Sequence, residues 1–154
     1  MKTMVAGVGN VFLGDDGFGC EVIAQLRERS FAPHVRVEDY GIRGTHLAID
    51  LLDGFDTLIL VDAVAGDEAP GTVRLIELDA ITADGTASDA HAMTPEAVLR
   101  QLANMGGHVE RVLVVGCQPE TLEPGMTLSV PVRAAVDAAV RMVESLVEAN
   151  KPCA

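Results

Sequence analysis

The stretch Val5-Ala-Gly-Val-Gly-Asn-Val-Phe-Leu-Gly-Asp-Asp-Gly-Phe-Gly19 decides how the rest of the chain reads. Met4, Val5 and Val8 mark a first strand, Gly7 and Gly9 permit a tight turn at its end, and apolar residues recur at helical spacing from Phe18 onward. A strand, glycine-rich loop and helix in this order usually cradle a phosphate, because amides at a helix N-terminus attract anions. The details argue against that here. A dinucleotide fingerprint beginning at Gly7 needs glycine at position 12, where Phe12 stands. The phosphate-loop spacing of Gly9 and Gly14 runs on into Asp15 and Asp16 instead of Lys and Ser/Thr. Two adjacent carboxylates repel a phosphate and point to a cation or to proton chemistry. Asp15 reads as the N-cap of a helix starting at about Gly17, which leaves Asp16 as the functional candidate.

The 154 residues predict a single α/β domain over residues 1–150 with a frayed tail at 151–154. A chain of this size buries roughly 70% of its unfolded surface. Hydrophobic residues make up 49% of the chain and aromatics only 3%, so the core is read as Val, Leu, Ile and Ala, the usual filling between a parallel sheet and its helices. A net charge of -12 opposes binding to nucleic acid or to an anionic membrane. The start, Met1-Lys-Thr-Met-Val, lacks a sustained apolar segment, and a cytoplasmic protein is expected. Cys20, Cys117 and Cys153 are odd in number and lack C-x-x-C spacing, which supports neither a disulfide framework nor a thiolate zinc site. Cys20 reads as a small buried hydrophobe, and neither Cys20 nor Cys117 has a sequence-evident activating base.

Outward from the opening loop, Phe18, Val22, Ile23 and Leu26 give one face of a helix ending near Ser30 to Pro33. Val35 to Tyr40 reads as a second strand, and the turn Asp39-Tyr-Gly-Ile-Arg-Gly44 precedes a short helix around Thr45 to Leu52. Phe55 to Asp62 is an apolar run of strand length, suited to a central parallel strand with Asp62 at its carboxyl end. Thr72 to Leu78 alternates as an edge strand does. A polar loop containing His91 leads to Thr94 as cap and Pro95 as the first residue of the next helix. Val109 to Gly116 is another central-type strand, and Ser129 is read as the cap of a long last helix. The expected fold is a single-domain three-layer α/β sandwich, with a mostly parallel twisted sheet of about five strands and helices on both faces.

In such a sheet ligands bind outside the carboxyl ends of the strands, which brings Asp16, Asp62 and His91 to one edge. Two hard oxygens and an imidazole suit a borderline divalent metal, Ni, Zn, Fe or Mn, with coordination positions left open. No G-x-S-x-G elbow or H-E-x-x-H helix offers another hydrolase assignment.

Over nearly its whole length the chain resembles the NiFe-hydrogenase maturation proteases. Their opening motif G-x-G-N-x-L-x-x-D-D/E-G-x-G is met by Gly7 to Gly19, with Phe12 in place of the usual aliphatic residue. Their second motif, an acid before a glycine-rich turn, is similar to Asp39 to Gly44, with Ile42 in place of the usual threonine. The strand ending in Asp62-Ala, the loop histidine His91 and Val115 to Glu120 followed by Leu128-Ser129 resemble the family as well. The resemblance implies an endopeptidase that removes the C-terminal extension of a nickel-loaded hydrogenase large-subunit precursor. It implies that Asp16, Asp62 and His91 contact the nickel, that the nickel comes with the precursor, and that Asp39 serves in positioning or peptide-bond chemistry. Two rival readings of the same residues are an unrelated metallohydrolase with a permanent metal and a non-catalytic nickel carrier.

Overall fold

The computed structural model describes residues 1–78 and 94–150. Five strands form one sheet: β1 (Thr3–Val8), β2 (Val35–Gly41), β3 (Thr57–Ala63), β4 (Val73–Leu78) and β5 (Arg111–Cys117). They lie in the order β2-β1-β3-β5-β4. All neighbours are parallel except β4, which runs antiparallel to β5 at the edge. Chain length accounts for that exception. A parallel crossover needs a dozen or more residues, and only residues 64–72 separate β3 from β4, so the chain can turn back but cannot cross over.

Helices cover both faces. Alternation along the central strands sends Val5, Ile59, Val61, Leu113 and Val115 to a core shared with α1 (Phe18–Leu26) and α4 (Val130–Ala149). Met4, Ala6, Leu58, Leu60, Val112 and Val114 face the opposite core, shared with α2 (Gly44–Leu51) and α3 (Pro95–Asn104). The three-layer sandwich expected from the sequence is therefore the observed fold. Helix α1 stops at Leu26, with the last residue of its apolar face and before the expected end near Ser30 to Pro33. Beyond it the backbone tightens, with Glu28 N–H donating to Gln25 at 3.2 Å and Arg29 N–H to Leu26 at 3.0 Å.

The strand order changes direction between β1 and β3, since β1 leads to β2 on one side and β3 lies on the other. Their carboxyl ends thus flank the crevice where doubly wound sheets bind ligands. Helix α1 starts hard against both ends. A Cβ on Gly19 would sit 2.6 Å from the Val8 carbonyl oxygen and would strike that of Val61.

Two caps expected from the sequence have other work. Thr94 does cap α3, its hydroxyl accepting from Ala97 N–H at 3.2 Å. Ser129 stands at the N-cap position of α4 but makes no side-chain capping bond. Its hydroxyl donates to Asp15 Oδ2 at 2.8 Å, and its N–H donates to Asp15 Oδ1 at 2.7 Å. Asp15 caps nothing either: α1 has Gly17 at its N-cap, and Asp15 is fully buried in the 3-10 turn Gly14–Gly17. The N–H groups of Glu120 and Thr121 also donate to Asp15 Oδ2, at 2.8 and 3.1 Å. Backbone bonds Gly14 to Gly125, Asp15 to Thr121 and Gly125 to Phe12 complete the seam between the opening loop and the loop before α4.

Burial raises the Asp15 pKa, but the bonds from Ser129, Thr121 and Glu120 outweigh it and hold the group below its ordinary value. Its stabilisation is thus in place above the ordinary carboxylate range and is lost as pH falls through the lowered folded value. Asp15→Asn, which faces four donors with a single acceptor oxygen, should cost roughly 2–4 kcal/mol near neutral pH, and Asp15→Ala at least as much. Urea unfolding checks this. The deficit against wild type should shrink as pH is lowered below about 4.

Candidate functional site

Successive residues of a 3-10 turn point about a third of a turn apart, so Asp15 and Asp16 face different ways. While Asp15 turns to the loop before α4, Asp16 Oδ2 accepts from Asn10 N–H at 2.7 Å. Asn10 Oδ1 in turn accepts from Phe12 N–H at 2.9 Å, folding the loop over itself. Gly9 marks where the acids converge. Its φ is +131°, and a Cβ there would strike the Asp16 carbonyl oxygen and stand 3.3 Å from Asp62 Oδ1. Only a residue without a side chain leaves room for the Asp16 backbone and the Asp62 carboxylate.

Asp62 ends β3 as expected, its Oδ1 accepting from Ala63 N–H at 2.8 Å. Burial, and then the negative charge of Asp16, push its carboxyl up to about 8, against the lowering effect of the Ala63 bond. Near neutral pH this crevice therefore holds a proton or takes a cation. His91, the third residue of the expected set, lies outside the described residues, as does the tail 151–154. Among the described residues, no group of three His, Cys, Asp or Glu side chains could hold a metal ion. What the described residues bring together is the Asp16–Asp62 pair.

Asp39, at the end of β2, stands on the far side of the same loop. Its Oδ1 accepts from Gly41 N–H at 3.0 Å and from the Cys20 thiol at 3.1 Å, while Oδ2 has no hydrogen-bond partner among the described residues. Sequence reasoning missed Cys20. It is half-buried rather than a core hydrophobe, and it joins the two halves of the site. Burial first, then Asp39, then the charges of Asp16 and Asp62 push its thiol up to about 12. Its place four residues after Asp16 was the available signal, since such residues share a helix face. Cys117 is fully buried in β5 and pushed up to about 11, chiefly by burial. Both thiols stay protonated near neutral pH, so neither is a ready nucleophile.

Beside Cys20 and Asp39 opens a cavity of about 340 Å³, bounded also by Val11, Phe12, Ile42 and Arg43. The molecule is thus a doubly wound α/β protein with an acid pair at its switch point and a third carboxylate facing an adjoining cavity. Chemically, the pair can present oxygens to a divalent cation and Asp39 can accept a proton.

Comparison with known proteins gives this arrangement its family. The profile for hydrogenase maturation proteases matches residues 20–146. A Methanocaldococcus jannaschii chain assigned to the hydrogenase maturation proteases is 36% identical over 147 residues, covering 91% of this chain and 92% of its own. Among solved structures, the hydrogenase maturating endopeptidase HybD from E. coli superimposes with a TM-score of 0.81 at 29% identity, over 97% of this chain and 94% of its own. A hydrogenase 2 maturation peptidase from a Thaumarchaeota archaeon does so with 0.75 at 31% identity, over 96% and 99%. The chain belongs to the hydrogenase maturation protease family, and it is by that membership a peptidase. Among the described residues, no helix is long and apolar enough to cross a membrane.

The raised Asp62 pKa carries a stability consequence of definite sign. A carboxyl whose folded pKa exceeds its unfolded value contributes stability that is whole below about pH 4 and is lost as pH rises through the folded value of about 8. In metal-free protein Asp62→Asn removes that loss. The variant should gain on wild type as pH rises from about 4 to 8 and stay ahead beyond, read as melting temperature against pH. Parallel curves for the two proteins would contradict the placement of Asp62 beside Asp16.

Proposed function

We propose that this protein is the endopeptidase that removes the C-terminal extension of a nickel-loaded hydrogenase large-subunit precursor, reading the nickel through Asp16, Asp62 and His91. The observation that carries the reading is the mutual opposition of Asp16 and Asp62 at the switch point, which a divalent cation relieves. Two half-buried carboxylates with one histidine are few and hard ligands for nickel, so they complete the shell of an ion already held elsewhere better than they would strip it from solution. In this reading the metal belongs to the substrate, and the protease cuts only a precursor that carries it. Support for His91 comes from connectivity. Helix α3 runs back to where β5 begins, so its first residue, Pro95, four residues after His91, lies toward the carboxyl edge.

Peptide hydrolysis also needs water activated next to the carbonyl to be cut. Asp39 carries that role: Oδ1 is fixed by Gly41 and Cys20, and Oδ2 is left to take the proton of the attacking water. The neutral thiol then serves to hold the carboxylate still.

Mass spectrometry of a large-subunit precursor incubated with the protein, with and without nickel loading, tests the reading. Wild type should shorten only the loaded precursor. Asp16→Asn keeps the shape of the side chain but loses its charge, and it should cut far more slowly with little change in melting temperature. Asp39→Asn should slow cleavage roughly 100-fold or more while leaving binding of the loaded precursor intact. Cleavage of nickel-free precursor at the same rate would sink the sensing role.

A further inference from the structure

The carboxyl edge of the sheet exposes apolar side chains that the fold does not need. Phe12 is 61% and Ile42 64% exposed, although both are large hydrophobics on short loops between well-buried elements. They come from different loops, the first following β1 and the second following β2, and both border the cavity of about 340 Å³ that contains Cys20 and Asp39. Val11, 39% exposed, adds a third apolar wall beside Phe12.

Backbone bonds hold this mouth in place. Phe12 N–H donates to Asn10 Oδ1, and Gly125 N–H donates to the Phe12 carbonyl at 2.9 Å. Gly9 N–H donates to the Gly41 carbonyl at 2.9 Å, joining the two loops. The side chains of Phe12 and Ile42 are thus presented on a braced frame, and placing apolar groups in water is unfavourable unless something covers them. The polar groups around them are held in place, while Asp39 Oδ2 lacks a hydrogen-bond partner among the described residues. Asp39 Oδ1 is engaged by Cys20 and Gly41, the thiol is neutral, and Arg43 donates to the backbone carbonyls of Asp39 and Tyr40 at 2.8 and 3.3 Å. An apolar group entering between Phe12 and Ile42 therefore meets carbon at the mouth and a neutral thiol on the wall. The volume lies near the lower end of the roughly 300–1,000 Å³ typical of ligand pockets, suited to one side chain and the backbone that carries it.

We propose that this cavity is a specificity subsite, in which Phe12 and Ile42 grip one apolar side chain of the precursor peptide next to the bond that is cut. The proposal rests on the endopeptidase reading above and adds to it which part of the site selects the substrate. The occupant is peptide because Asp39, the proposed base, lines the same cavity as Phe12 and Ile42, so a side chain held there lies next to the bond that is cut. Apolar anchors of this kind supply binding, while the carboxylates supply chemistry, so the two should separate in kinetics.

The test uses full-length protein and a large-subunit precursor. For Phe12→Ala and Ile42→Ala, the KM for nickel-loaded precursor should rise roughly tenfold, with kcat and melting temperature close to wild type. Leu75→Ala, which trims an apolar residue 46% exposed on β4 away from this edge, should change none of the three. The dissociation constant for nickel-free precursor, measured by calorimetry, should weaken by a similar factor in the two cavity variants, and it is read even if no cleavage occurs. Absence of cleavage by wild type would therefore bring down the endopeptidase reading without deciding this one. Unchanged affinity in both cavity variants, or no measurable binding by wild type, would overturn the subsite. A fall in kcat at constant KM would overturn it too, by making Phe12 and Ile42 part of the chemistry.

Discussion

One carboxylate sets the geometry of the carboxyl edge. Asp15 is withdrawn from water completely, which for a charged group is costly unless its lone pairs are occupied, and four donors from Glu120, Thr121 and Ser129 occupy them. Three of the donors are backbone N–H groups, among them one at the start of α4, where a helix favours negative charge. The carboxylate thus ties the start of α4 to the opening loop and anchors that loop at the same time. Because the 3-10 turn sends adjacent side chains different ways, fixing Asp15 on one side fixes Asp16 on the other. Without that anchor the glycine-rich loop would have little to hold its conformation.

Asp16 and Asp62 represent the opposite balance. Among the described residues neither is compensated by a basic side chain, and there Asp62 has only its neighbour Ala63 as donor. Burial and like charge leave Asp62 in a state that the fold alone does not favour. Local electrostatic strain of this sort at a strand end marks a functional site, since evolution could have relieved it with a single Lys or Asn. The contrast between neighbouring residues is informative: the same chemical group is satisfied at position 15 and left wanting at position 16.

The sheet was legible because its signals are local. Apolar runs of strand length, glycines at turns and helical spacing from Phe18 place the strands and layers, and the carboxyl-edge rule then places Asp62 with the opening loop. The bonds of Asp15 were not legible, since its partners lie between 105 and 114 residues away and no periodicity reports such a contact. Local propensity favoured capping for both Asp15 and Ser129, and tertiary structure joined the two to each other instead. Cys20 was misread for a related reason. Composition makes a lone cysteine look like core, whereas its role depends on Asp39, which a separate strand delivers.

The division of labour along this edge follows from how differently charge and apolar surface can be used in recognition. On the proposed reading, a nickel ion carried by the substrate offers one point of attraction that acts only when it is present, and two carboxylates with no basic partner among the described residues respond to it strongly. Such a site detects loading but says little about which protein carries the metal. Phe12 and Ile42 can make that distinction, because apolar contact depends on shape and sequence and is indifferent to the metal. Gly9 joins the two, its amide bound to the Gly41 carbonyl and its bare Cα leaving room for the Asp16 backbone and the Asp62 carboxylate, so on this reading two linked loops present both tests to the same precursor.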